Sequence, residues 1–228
     1  MSRLVADSIS LRRGPQFSLS DVYLDAHAPD IVGLVGRNGC GKTTLLRVIF
    51  GLVEAASGTV KVDGRYVAPG ERWRHMAYLP QGPFLPRDLD VRRSTRLFLG
   101  PQGQRVLEQD RRLQSMARRR IGDLSAGERR LLEFHLVMAL NRKFVLLDEP
   151  FSQVEPIYVE AMSAMIRARS KETAFVLTDH NHWSVRQVCT GLYSLDEGTL
   201  TRIGSDDTDL RRVGYLPPET APDKLVEP

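Results

Sequence analysis

A chain of 228 residues with 42% hydrophobic side chains can bury a substantial core, and one domain with a smaller subdomain is its natural division. No apolar run reaches the roughly 18 to 20 residues of a membrane-spanning helix, and the opening MSRLVADSISLRR lacks a signal-peptide core, so a cytoplasmic location is expected. Cys40 and Cys189, its two cysteines, show no metal-ligand spacing and leave no disulfide framework to argue for, while a net charge of +4 is modest for the whole chain.

In chain order, the β-like runs Leu4 to Leu11, Val22 to Ala26 and Thr59 to Val62 end in turn residues such as Ser57-Gly58 and Asp63-Gly64, and they predict a small antiparallel layer. Between them, Ile31 to Val35 reads as a buried strand. It runs into GRNGCGKTT, in which Gly36, Gly41, Lys42 and Thr43 satisfy the spacing GxxxxGK(S/T). Gly39 adds freedom, Arg37, Asn38 and Cys40 complete the loop, and Thr44 follows it. Glycines let successive backbone N–H groups converge on a phosphate chain, and the helix expected from about Lys42 to Gly51 aims its positive end at the same anion. Lys42 is expected to reach the β- and γ-phosphates of a nucleotide, and the Thr43 hydroxyl to bind Mg²⁺.

The stretch from Arg87 to Arg130 holds twelve arginines, no lysine and six acids. Within it, the span from about Pro86 to Gly122 has helical spacing without a strand run and reads as an inserted lobe. Its charge fits nucleic acid, lipid headgroups, an acidic protein or simply a solvated helical face. SAGE, Ser125 to Glu128, is a capping box opening an amphipathic helix to Leu140; its Ser125 hydroxyl and Gly127 backbone could also form a second phosphate-binding helix terminus. Two more buried runs, Phe144 to Leu147 and Phe175 to Leu177, predict parallel strands of a mixed α/β core. The first ends in Asp148-Glu149, delivering two carboxylates to the C-terminal sheet edge, where Asp148 is expected to hold Mg²⁺, directly or through water, and Glu149 to act as general base. Beyond Ser205 a proline-rich tail is expected to be extended towards its end.

Taken together, GRNGCGKTT, YLPQ, LSAGERR, VLLDEP and LTDH resemble the motif series of an ATP-binding-cassette (ABC) ATPase from about Leu4 to Leu216. The resemblance implies a P-loop NTPase of the ABC fold, with an N-terminal antiparallel layer, a mixed RecA-like core sheet and a short helical subdomain. Residues 1–82 and 123–205 would be the catalytic core, 83–122 the helical subdomain and 206–228 the tail. It implies ATP and Mg²⁺ as cofactors, Gln81 as a sensor of γ-phosphate and metal, and His180 as a holder of the γ-phosphate and attacking water. Ser125 and Gly127 would act in trans across a homodimer or cassette heterodimer. The helical subdomain would dock integral membrane transporter subunits, placing the protein on the cytoplasmic face of the inner membrane, with no nucleic acid expected. LLDEPFSQVEPIYV, LTDHNHWSVRQVC and DDTDLRRVGYLP are further similar to the ATPases of lipopolysaccharide export and of branched-chain amino-acid uptake.

Four positions depart from that pattern. Ala126 replaces the usual second glycine of the signature, Glu155 stands where a dimer-contacting aspartate belongs, and the span from Gln81 to Ser125 is short. The adenine-stacking aromatic falls near Arg13, so stacking by Arg13, by Phe17 or by neither is open. Competing readings are a soluble ABC ATPase acting on nucleic acid or ribosomes, and a nucleotide-gated subunit with feeble hydrolysis.

Overall fold

Long strands with alternating burial open the chain. In the computed structural model, which describes residues 2–13, 17–180, 182–204 and 207–212, Arg3–Arg13 (β1) and Phe17–His27 (β2) pair antiparallel. Ile31–Val35 (β3) leaves this layer and leads into Lys42–Phe50 (α1). The chain then returns through Ser57–Val62 (β4) and Arg65–Tyr66 (β5), completing an antiparallel sheet ordered β2-β1-β4-β5. The strands extend the apolar runs read from sequence, because ladder pairing recruits the polar residues that flank them.

Met76–Leu79 (β6) is followed by three short helices, Val91–Leu99 (α2), Gln102–Gln109 (α3) and Arg111–Met116 (α4). Next come Ala126–Ala139 (α5), Phe144–Asp148 (β7), Pro156–Ser170 (α6), Ala174–Thr178 (β8) and His182–Val188 (α7). Gly191–Asp196 (β9), Thr199–Ile203 (β10) and Asp207–Arg212 (α8) close the described chain. The second sheet is ordered β10-β9-β3-β8-β7-β6, parallel except for the antiparallel β10 edge. The strands β6, β9 and β10 were not among the expected ones, and α8 is a helical turn in a region expected to be tail.

Strand alternation divides the core. Val32, Leu34, Leu146 and Val176 face α1 and the antiparallel layer, whereas Ile31, Val35, Val145, Leu147, Phe175 and Leu177 face α5, α6 and α7. Strands covered on both faces must be apolar throughout, and β3, β7 and β8 are buried at every residue. A third cluster, with Val91, Val106, Leu107, Leu113 and Met116, packs α2, α3 and α4 against Leu132 and Leu136 of α5. The signature helix therefore has one face in the main core and another in the helical lobe.

Candidate nucleotide-hydrolysis site

The loop between β3 and α1 is built around two glycines that no other residue could replace cheaply. Gly36 has φ 143°, and a Cβ there would lie 2.3 Å from the Leu195 carbonyl oxygen. Gly41, the N-cap of α1, has φ 113° and offers no side chain to the helix's first N–H groups, which leaves those donors for an anion. Lys42 is buried and lies across the loop, its ammonium donating to the carbonyls of Gly36 at 2.8 Å and Arg37 at 3.1 Å. Cys40 packs on the core with its Sγ 3.8 Å from Lys42 Nζ, a small side chain that fills the space beneath the loop.

A cleft of about 390 Å³ opens over this loop, lined by Asn38, Gly39, Gly41, Lys42, Thr43, Thr44, Gln81, Glu149 and His180. The parallel sheet brings the distant members together. β7 ends at Asp148, whose Oδ1 accepts hydrogen bonds from the hydroxyls of Thr43 at 2.9 Å and Thr178 at 3.0 Å. Glu149 follows with φ 52°, a left-handed backbone held by its N–H donating to the Thr178 carbonyl at 2.9 Å. One oxygen of its carboxylate, Oε1, accepts from Gln81 Nε2 at 2.9 Å and lies 2.7 Å from His180 Nε2. Residues separated by 68 and 31 positions in the chain thus converge on one carboxylate.

Three residues absent from the sequence reading hold this arrangement. Tyr78 donates its hydroxyl to Asp148 Oδ2 at 3.0 Å, and Thr178 bonds both Asp148 and the Glu149 N–H. Arg130, buried on α5, donates to the carbonyls of Pro80, Asp148 and Glu149, tying the signature helix to the residues before Gln81 and to the end of β7. The YLPQ, LTDH and LSAGERR strings contain Tyr78, Thr178 and Arg130, but none of the strings shows which way its side chains point.

Ser125 and Gly127 do not line the phosphate-loop cleft. Ser125 forms the expected capping box: its hydroxyl accepts from Glu128 N–H at 3.1 Å, and Glu128 accepts from Ser125 N–H at 2.8 Å. Arg119 pairs with both Glu128 oxygens at 2.6 and 3.1 Å, and the guanidinium holds that carboxyl below the usual range. Gly127 faces the segment after Glu149, where a Cβ would lie 2.8 Å from the Gln153 carbonyl. Ala126 is exposed at the start of α5, and Glu155 is the N-cap of α6 without a side-chain cap bond. The side chains of Arg13 and Phe17, the two candidates for adenine stacking, lie outside the described residues.

A phosphate loop at the end of a buried parallel strand, with two carboxylates at the end of a second strand one place beyond its immediate neighbour in the same sheet, defines a P-loop nucleotide-hydrolysing domain. The model of the ABC transporter family matches residues 19–152. The lipopolysaccharide export system ATP-binding protein LptB of Haemophilus influenzae is 33% identical over 237 residues, spanning 95% of this chain and 98% of its own. LptB of Escherichia coli K12 is 31% identical over 236 residues with the same coverage, 95% and 98%. Among solved structures, an ATP-binding subunit of an ABC transporter is similar at a TM-score of 0.79 with 24% identity, covering 93% of each chain. A bacterial Atm1-family ABC exporter with ATP bound gives 0.81 with 19% identity over 94% of this chain and 41% of its own, a likeness of fold. The chain belongs to the ATP-binding subunits of ABC transporters. It binds and hydrolyses ATP to power transport and works with membrane transporter components, and no helix among the described residues is long and apolar enough to cross a membrane. The reading as a nucleic-acid or ribosome ATPase falls with that membership.

Proposed function

We propose that this protein powers export of lipopolysaccharide or a related lipid, working at the cytoplasmic face of the inner membrane through membrane subunits that dock on its helical lobe. Similarity to the LptB proteins along nearly their whole length supports the lipid reading. The meeting of Gln81 and His180 on the Glu149 carboxylate over the phosphate loop carries the catalytic one.

The geometry supports a role for each residue. Backbone N–H groups of 36–44 cradle the phosphates, and Lys42 exchanges the carbonyls of Gly36 and Arg37 for β- and γ-phosphate oxygens. Thr43 and Asp148 already touch at 2.9 Å, and with the Gln81 amide they form an all-oxygen donor set suited to a small hard cation such as Mg²⁺. Bound there, the cation supplies charge neutralisation on the β- and γ-phosphates. Glu149 takes the proton of the attacking water, and His180 and Gln81 orient the water and γ-phosphate around its carboxylate. Ser125 and Gly127, absent from this cleft, complete the site of a second subunit, so ATP closes a head-to-tail dimer and hydrolysis releases it. In this scheme 1–82 and 123–205 form the catalytic core, 83–122 the docking subdomain and 206–228 the tail.

Glu149→Gln is expected to lower ATP turnover by about 10²- to 10⁴-fold while leaving nucleotide binding intact. Lys42→Ala is expected to lose nucleotide binding. An equally active Glu149→Gln enzyme removes Glu149 from the base role. Affinity purification of the tagged chain from gently solubilised membranes tests the transport reading: lipid-export membrane subunits support it, and amino-acid permease subunits replace it.

A further inference from the structure

Asp148 is fully buried, and among the described residues its carboxylate accepts hydrogen bonds from hydroxyls rather than from a cationic side chain. Three neutral hydroxyls satisfy it instead, Thr43 and Thr178 on Oδ1 and Tyr78 on Oδ2. Hydroxyl donors orient a carboxylate without bringing a formal charge of their own. The arrangement is thus poised for a cation. The Thr43 oxygen can donate to Asp148 and still present a lone pair, so its bond is compatible with metal ligation.

Tyr78 is anchored for one task. On β6 it pairs in register with Leu146 of β7, two residues before Asp148, which puts phenol and carboxylate on the same face of adjacent strands. Its ring packs against Phe50 of α1 with centroids 5.4 Å apart, and the Arg47 guanidinium lies beside the phenol oxygen. With Oδ2 tied from this side, rotation of the carboxylate is restricted and Oδ1 stays against Thr43.

We propose that Tyr78 is a positioning residue that presets the Asp148 carboxylate for the divalent cation accompanying ATP, by donating its hydroxyl to Oδ2. The inference rests on the reading of Asp148 as a metal-holding residue. Outer partners of metal-binding groups typically change metal affinity by about 10- to 100-fold when removed.

The test is Mn²⁺ affinity of the full-length protein with ADP bound, read by electron paramagnetic resonance, in the wild type, Tyr78→Phe, Phe50→Leu and Asp148→Asn. Metal-free ADP affinity is measured alongside as a check on folding. The expected result is a loss of about ten-fold or more in Tyr78→Phe, a larger loss in Asp148→Asn, and little change in Phe50→Leu, which loosens the ring packing but spares the hydroxyl. If Tyr78→Phe stays within about two-fold of wild type while Asp148→Asn loses metal, the positioning role is overturned and the metal role of Asp148 stands. An equal loss in Phe50→Leu and Tyr78→Phe reduces the tyrosine to packing and also overturns it. Unchanged affinity in Asp148→Asn removes the metal reading and the inference with it.

Discussion

Arg130 is among the few charged side chains buried in the molecule, and its position explains why. Three backbone carbonyls from two different strand ends point at one guanidinium, and a planar fork of donors can serve all three where a lysine ammonium could not hold the same spread. Burial lowers its pKa, an effect opposed first by Glu133 and then by Asp148, Asp179 and Glu149. Replacing it leaves those carbonyls without their donor. Arg130→Met is expected to cost about 2–4 kcal/mol in urea unfolding, and Arg130→Lys to recover only part of that loss. Because Pro80 immediately precedes Gln81, the same substitution should lower turnover more than it lowers nucleotide affinity.

The signature helix α5 spans two cores, and its internal groups make it sensitive to protons. His135 is partly buried on this helix with Nε2 3.9 Å from Asp110 Oδ2, which caps α4 of the helical lobe. Burial pushes the imidazole below its ordinary value of 6.5; Asp110 partly opposes this and Arg112 adds to it. Below pH 6.5 the unfolded chain therefore takes up a proton that the folded chain resists. Its contribution to stability is complete above that pH and is lost as pH falls towards the depressed value. Glu133, on the same helix, acts with the opposite sign, because burial raises its carboxyl above 4.5. A comparison of wild type with His135→Gln isolates the histidine. Between pH 7.5 and 5.5 the wild type is expected to lose up to about 1.4 kcal/mol more than the variant in denaturant unfolding, and parallel curves would assign the change elsewhere.

At the scale of the whole molecule, the missing half of the site is the informative feature. Ser125 is exposed and lies outside the cleft that Lys42 and Glu149 line. A single subunit therefore brings the phosphate loop and Glu149 together but leaves Ser125 outside their cleft, as the proposed action of Ser125 on a second subunit requires. Glu149→Gln is expected to sediment as a dimer with ATP and as a monomer with ADP. Ser125→Arg in the same background is expected to remain monomeric with ATP while binding the nucleotide with unchanged affinity, since its effect falls on the partner's site. Dimerisation of that double variant would argue against assembly through the signature.

By itself the sequence determined the parts whose chemistry is local. The phosphate loop reads directly because glycine spacing, lysine and threonine act within one turn; the capping box of Ser125 and Glu128 reads for the same reason, and Asp148-Glu149 reads from the buried run before it. Apolar runs covered on both faces made β3, β7 and β8 legible. Strand β6 escaped because Met76–Leu79 contains no β-branched residue, and β9 and β10 because their polar residues weaken the alternation, although Glu197-Gly198, both at positive φ, is the turn that joins them. Tertiary structure alone decided which side chains meet. Parallel strand order sets Tyr78, Asp148 and Thr178 side by side, and the packing of α5 turns Arg130 inward onto the Glu149 backbone. Spacing along a chain carries no information about such contacts, because they form between strands that are neighbours only after the sheet has closed.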